Sequence, residues 1–245
     1  MFADHPTAVL VLTAISEELD LDAILRRASR IHYQWRGAVG ARIGTTDVVI
    51  AATGDGAKRS AEKAGSLCES LRPLAVVGAG IAGALSPDFG AGAIVASSRV
   101  RDSSGDAPAP DARLLARALE AGASAATLLT VARPVTDAAE KNRLAASLEG
   151  PSAVDMESAS WARVAASRGI PYLVVRSISD RADEGLPDYL VACMGEDGAI
   201  RRGAVVARAL ARPSRIPGLV RLRRRTLDCG KALSLFLERF LADGF

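Results

Sequence analysis

Two histidines, His5 and His32, and three cysteines, Cys68, Cys193 and Cys229, are all that 245 residues offer as soft metal ligands. Zinc sites need such ligands clustered at short spacing, so no metal site is expected. An odd number of widely separated cysteines builds no disulfide framework, which points to a reducing cytoplasm. Aromatic residues make up only 4% of the chain, so a core must close through near approach of Ala- and Gly-rich backbone. No apolar run approaches the roughly 20 residues that a membrane-spanning helix needs. The apolar stretch at 8–15 follows Asp4 rather than basic residues and ends in Glu17-Glu18. It reads as a buried first strand, not as a signal peptide.

What is present is apolar, at 49%, which suffices for one large domain with a real core. The net charge of +3 is unevenly placed: residues 201–245 hold eleven Lys/Arg against three Asp/Glu, while the first 200 hold twenty against twenty-five. This divides the chain into a catalytic domain at 1–198 and a basic helical C-terminal extension at 199–245. Residues 214–241 mix leucines and phenylalanines with arginines. Such a segment suits an anionic membrane surface, or a helix packed on its own domain with a solvated basic face. Nucleic acid is not the expected partner, because no aromatics interleave the basic residues as stacking platforms.

Along the chain, apolar strands at 8–14, 47–53, 74–79, 93–100, 127–131 and 172–178 alternate with helices at 17–30, 57–71, 111–121, 138–148 and 155–167. Continuous apolar strands between helices predict a three-layer α/β/α fold with a mixed, largely parallel twisted central sheet. Active groups of such sheets collect at the carboxyl ends of strands. Glu18, Gly54–Gly56, Gly80–Gly83 and Ser179-Asp180 all follow strands, which suggests one shared site. The polar segment 101–110 reads as a loop that either borders a pocket or lies free on the surface.

Two motifs carry chemistry. Val154-Asp-Met-Glu-Ser158 puts Glu157 at the start of a small-residue helix, and Val174-Val-Arg-Ser-Ile-Ser-Asp180 delivers Asp180 from the end of a strand. Cleavage of an N-glycosidic bond needs one group to protonate the leaving base and another to hold the sugar as it becomes cationic. Together with Gly80-Ile-Ala-Gly-Ala-Leu85, these motifs resemble the nucleoside phosphorylase/nucleosidase superfamily, most of all the branch of the methylthioadenosine/adenosylhomocysteine nucleosidases. The resemblance covers roughly residues 8–190. Within it, the Gly-Ile-Ala-Gly variant and the long basic tail are similar to the hopanoid-biosynthesis-associated phosphorylase.

The resemblance implies roles residue by residue. Glu18, chosen over Glu17 by its distance from the first strand, would activate the attacking water. Glu157 would accept hydrogen bonds from the sugar hydroxyls, with Met156 under the ribose or serving as core filler. Asp180 would protonate the purine, with Ser179 orienting it. Arg176, four residues earlier on the same strand, would pair with a carboxylate near the site or form a structural ion pair. Gly80 and Ile81 would bring backbone to the ligand, and Val135 would contact the base in place of a stacking aromatic. Gly54 and Gly56 form a loop for water or phosphate, although Asp55 between them adds negative charge.

Phosphorylases of the superfamily often carry an Arg where this chain has Gly78, and losing a bidentate phosphate ligand favours water as nucleophile. The expected activity is therefore purine nucleoside cleavage without metal or organic cofactor, with phosphate as an alternative co-substrate. The substrate that the resemblance implies is adenosylhopane, lipid-linked, handled by a homodimeric cytoplasmic enzyme peripheral to the membrane. Methylthioadenosine or adenosylhomocysteine cleavage is the alternative activity. A non-catalytic nucleoside-binding membrane protein is the alternative of another class, against which the presence of Glu18, Glu157 and Asp180 argues.

Overall fold

The computed structural model describes residues 8–15, 18–28, 30–35, 38–195, 201–211, 214 and 216–242. Its strands, in chain order, are β1 (Val9–Thr13), β2 (Arg30–Trp35), β3 (Ala38–Ile43), β4 (Thr46–Ala52), β5 (Ala75–Ala84), β6 (Ile94–Asp102), β7 (Gly105–Asp106), β8 (Ser124–Thr130), β9 (Ser152–Asp155) and β10 (Tyr172–Asp180). Helices are α1 (Leu21–Arg27), α2 (Ala57–Leu71), α3 (Ala112–Glu120), α4 (Ala138–Ala145), α5 (Ser158–Ala166), α6 (Arg202–Leu210) and α7 (Ile216–Ala242), with a 3-10 turn at Asp188–Cys193.

All strands belong to one mixed sheet. Strands β4, β1, β5 and β10 run parallel and form its centre. Antiparallel β2 and β3 extend it at one side. On the other side β10 pairs β6, β6 pairs β8, β8 pairs β9, and β9 returns to β5, so five strands close into a ring. The central strands read as unbroken apolar runs because helices cover both of their faces. Leu10 and Leu12 of β1 face α2 and α5, whereas Val9 and Val11 face α1, α3 and α7. The three-layer α/β/α architecture expected from the sequence is the one observed.

Small residues set the spacing on the first face. Ser60, Ala64, Gly65 and Cys68 of α2 lie buried beside Ser158, Ala159, Ala162 and Ala165 of α5. Their small faces pack on each other within one chain. On the opposite face, the second half of α7 buries Leu233, Phe236, Leu237, Phe240 and Leu241 in the core. That half of the basic segment is domain core, and its leucines are not free to insert elsewhere. Arg225 fixes α7 to the segment after β10 through Glu184 at 2.8 Å.

Several sequence expectations are corrected. Arg30 is the first residue of β2 and not the end of a helix, and β3 was not foreseen. Asp155 closes β9 before α5 begins. Gly80–Gly83 lie inside β5 rather than in a loop, because β10 and β9 pair with that stretch and supply its ladder. The segment 101–110 does not border the main cavity; Arg163 of α5 ties it down through Asp102 at 2.9 Å.

Candidate active site

A cavity of about 510 Å³ opens at the carboxyl ends of β1, β5 and β10 and is lined by Glu18, Ile81, Val135, Met156, Glu157, Ser179 and Asp180. These residues come from five chain segments, and the sheet brings them to one place as the strand-end positions predict. Gly80 and Arg176 lie immediately behind this wall, and Gly54 and Gly56 flank Asp55, which lines it. Glu17 lies outside the described residues.

Glu18 follows β1 and is 6% exposed. Its Oε2 accepts from Thr13 Oγ1 at 2.7 Å and from the Ala14 amide at 3.0 Å, and its Oε1 accepts from the Ile81 amide at 3.4 Å. Burial nevertheless holds its carboxyl above the usual range, against the pull of the Arg176 charge. A carboxylate so placed is a proton acceptor with a raised affinity for protons, which general-base work on water requires.

Glu157 caps the start of α5, with Oε1 accepting from the Gly56 amide at 3.3 Å. Its carboxyl is pushed up to about 8, by burial first and by the neighbouring Glu18 charge second, while Arg176 lowers it. Two buried carboxyls thus share one dry site and oppose each other's ionisation. Sugar hydroxyls donating to Glu157 would favour its charged form, so ligand binding and proton release are coupled here.

Arg176 on β10 is fully buried. It pairs with Asp155 Oδ2 at 2.5 Å, donates to Ser158 Oγ, and lies 4.8 Å from the Trp161 ring centroid. Its Nη1 has no hydrogen-bond partner among the described residues. A Cβ on Gly80 would sit 2.0 Å from that Nη1 and 3.1 Å from Glu18 Oε2. Only glycine leaves this path open, so a buried unpaired donor stands next to the Glu18 carboxylate. Arg176 is therefore both the structural ion pair and the neighbour of a site carboxylate.

Asp180 ends β10, where the β5–β10 register shifts between Ile178 and Asp180. Such irregularities re-aim a side chain, and here the carboxyl lines the cavity. Ser179 Oγ donates to Asp180 Oδ1 at 2.5 Å. Lys141 Nζ donates to Asp180 Oδ2 and, at 2.7 Å, to the Arg181 carbonyl. Lys141 was not foreseen from sequence. Its signal was there: Lys141, Leu144, Ala145 and Leu148 form one helical stripe, and the last three pack on Leu85, Val135 and Val154. A lysine on an apolar stripe needs a buried partner.

The glycine loop turns its two glycine amides into the protein. Gly54 and Gly56 have φ of 94° and 88°, which only glycine adopts freely. The Gly54 amide donates to the Ala14 carbonyl at 2.8 Å and the Gly56 amide to Glu157. Both amides are engaged within the protein, beside two carboxylates.

Beyond the carboxyls the cavity turns apolar. Its outer wall is Leu186, Leu190, Val205, Leu219, Leu222 and Leu227. These come from the 3-10 turn, α6 and the first half of α7, which share a small core of their own. Sequence reading gave these residues no part in the site. Among the described residues no group of three or more His, Cys, Asp or Glu is placed to hold a metal ion.

The profile of the phosphorylase superfamily matches residues 9–212. A 5′-methylthioadenosine/S-adenosylhomocysteine nucleosidase of Shewanella halifaxensis is 26% identical over 180 residues, 62% of this chain and 78% of its own. Among solved structures, a nucleosidase of that name from S. pneumoniae with a transition-state inhibitor superposes with a TM-score of 0.72 at 17% identity, covering 96% of this chain and 98% of that one. The S-adenosylhomocysteine nucleosidase of Streptococcus pyogenes with 5-methylthiotubericidin gives 0.73 at 18%, covering 98% of each chain. A futalosine hydrolase mutant of Helicobacter pylori gives 0.72 at 18%, covering 96% and 98%. The chain belongs to the phosphorylase superfamily.

Proposed function

We propose that this chain hydrolyses the N-glycosidic bond of a purine nucleoside that carries a large apolar 5′ substituent, with adenosylhopane of hopanoid biosynthesis as the substrate. The observation that carries this reading is a single cavity with Glu18, Glu157 and Asp180 at one end and a wall of leucines and valines at the other. Sugar and base belong at the carboxyl end, and the 5′ group runs outward along the wall.

In this reading Asp180 gives a proton to the purine as the C1′–N9 bond breaks and its electron pair moves into the base. Glu157 accepts the sugar hydroxyls, and these bonds tighten as positive charge grows at C1′. Glu18 takes the proton of the attacking water. The engaged amides of Gly54 and Gly56 and the density of carboxylates favour water over a phosphate dianion. The same features support a cofactor-free reaction.

Val206 and Leu227 are exposed and line the apolar end, Leu210, Ile216 and Val220 are exposed on the same two helices, and Arg221, Arg223 and Arg224 are exposed on α7. This supports attachment to the inner face of an anionic membrane, from which a lipid-linked nucleoside would enter. No described helix is long and apolar enough to cross a membrane. We propose a homodimer as the working assembly, tested by sedimentation velocity at micromolar concentration. The second reading is cleavage of methylthioadenosine or adenosylhomocysteine, favoured by the name of the Shewanella relative.

The test is adenine release from adenosylhopane and from methylthioadenosine, each with and without phosphate. Faster release from the lipid-linked nucleoside, unchanged by phosphate, is expected. Phosphate-dependent release that yields a ribose 1-phosphate would replace hydrolysis by phosphorolysis. No release from either would leave a nucleoside-binding protein.

A further inference from the structure

Lys141 is the one fully buried lysine among the described residues. Burying an ammonium is costly unless it is paired and hydrogen-bonded. Two of its three donors are engaged, one by Asp180 Oδ2 and one by the Arg181 carbonyl. The helix is built to hold it there: Asp137 caps α4 through the Ala139 and Glu140 amides, and the Leu144–Leu148 side of α4 is packed on the cavity wall. Nothing in the glycosidic reading yet uses this residue. The general acid of that reading thus shares its buried place with a second proton donor.

We propose that Lys141 is a positioning residue that also holds the proton Asp180 passes to the leaving base. This rests on the glycosidase reading above and deepens it. The pair carries one transferable proton. As the C1′–N9 bond lengthens, a proton leaves Lys141 Nζ for the Asp180 carboxylate. The Asp180 O–H bond then breaks as an N–H bond forms on the purine. Lys141 is left neutral and Asp180 ionised. Water loses its proton to Glu18; when products leave, Glu18 releases that proton to solvent and the pair regains one. No oxidant or second reactant is needed.

The charged and titratable groups near the pair are Asp183, beyond β10, and Cys229, on α7. Arg181 points its guanidinium to Asp183 at 3.0 Å. Ser179 supplies the remaining hydrogen bond to Asp180. A lone Asp180 would have to take its proton from solvent.

The experiment compares the full-length wild-type chain with Lys141→Met and Lys141→Arg on two substrates. One is whichever adenine nucleoside the wild type cleaves. The other is 4-nitrophenyl β-ribofuranoside, whose phenolate leaves without a proton. Both variants should lose adenine release by at least about tenfold at pH 8 and keep nitrophenolate release within about twofold. Arginine can hold the carboxylate but does not give up a proton, so full rescue by Lys141→Arg would overturn the proton-holding role. Parallel losses on both substrates would reduce Lys141 to a structural ion pair. A wild-type chain inert on every nucleoside would sink the glycosidase reading itself, and this inference with it.

Discussion

Gly78 and Trp161 contend for one space: a Cβ on Gly78 would come 2.6 Å from Trp161 Cε3. Trp161 is buried against the Arg176 guanidinium, so it has no easy retreat. The position where phosphorylases often carry an arginine is here filled by a ring from α5. Gly78→Ala should therefore cost about 1–3 kcal/mol in denaturant unfolding. In a Trp161→Leu background the same substitution should cost markedly less, since the two sites are in contact. Equal costs in both backgrounds would place the strain elsewhere.

Asp180→Asn should keep the fold and lose adenine release by at least about a hundredfold, the usual scale for a general acid. Its carboxyl is buried in a network with Ser179 and Lys141, so a thermal scan of the variant separates loss of chemistry from loss of structure. Near-normal turnover would remove Asp180 from the mechanism.

Glu157→Gln should lower kcat more than it raises KM, because the bonds to the sugar strengthen in the transition state. A pure KM effect would mean that Glu157 only docks the ribose. The same variant tests the electrostatics of the empty site. The folded carboxyl sits at about 8 against a model-peptide value of 4.5. Between about pH 5 and 8 the folded chain holds a proton that the unfolded chain has released, so stability falls as pH rises through that window. Glu157→Gln should thus melt a few degrees above the parent at pH 8, and the gap should close toward pH 5. Glu18 contributes a slope of the same sign in both proteins. A gap that does not change with pH would show that burial of Glu157 carries no such cost.

Narrowing the apolar wall should act on long substrates alone. Leu222→Trp places a ring in the outer cavity, away from Glu157 and Asp180. It should depress kcat/KM for adenosylhopane by at least about tenfold, as the scale of a few lost methylene contacts implies. Methylthioadenosine cleavage should stay within about twofold. Equal effects on both would detach the wall from substrate choice.

Removing residues 199–245 should leave an insoluble chain, because Leu233, Phe236, Leu237 and Phe240 cover one face of the sheet. Membrane attachment is better tested in the full chain with Arg221→Gln, Arg223→Gln and Arg224→Gln combined. Each arginine near an anionic surface is worth about 1 kcal/mol at best. The triple variant should therefore bind anionic vesicles on the order of a hundredfold more weakly at low salt, with the difference fading as salt rises. Vesicle affinity unchanged by the triple variant would remove the basic face from the interaction.

Strong local signals were legible in the sequence. The helix at 57–71 is α2, bounded by Gly56 and by Arg72 in the left-handed conformation. Glu18, Glu157 and Asp180 converge as strand-end chemistry demands. The β2–β3 hairpin was missed because its strands mix Arg, Gln and Gly with apolar residues and show neither clean alternation nor an unbroken apolar run. Gly80–Gly83 read as a loop because glycine disfavours strands locally, whereas β5 keeps them for the approach of Arg176 and Asp180. Lys141 showed only as a lysine on the apolar stripe of α4; its partner Asp180 and the leucine wall depend on contacts between segments far apart in the chain, which no local pattern encodes.

The closed ring of five strands divides the reaction between two kinds of support. Asp180 on β10 and Glu157 after β9 both hang from the ring, where each strand is braced on two sides and neither can drift relative to the other. Glu18 follows β1, and Gly54 and Gly56 follow β4, both outside the ring. In the proposed reaction, loss of the base is thus framed by the closed half of the sheet, and the acceptor of the water's proton by a loop on the open half. An exchange of water for another acceptor in that reaction would therefore need a change at Gly78 on β5, inside the ring, as well as in those two loops.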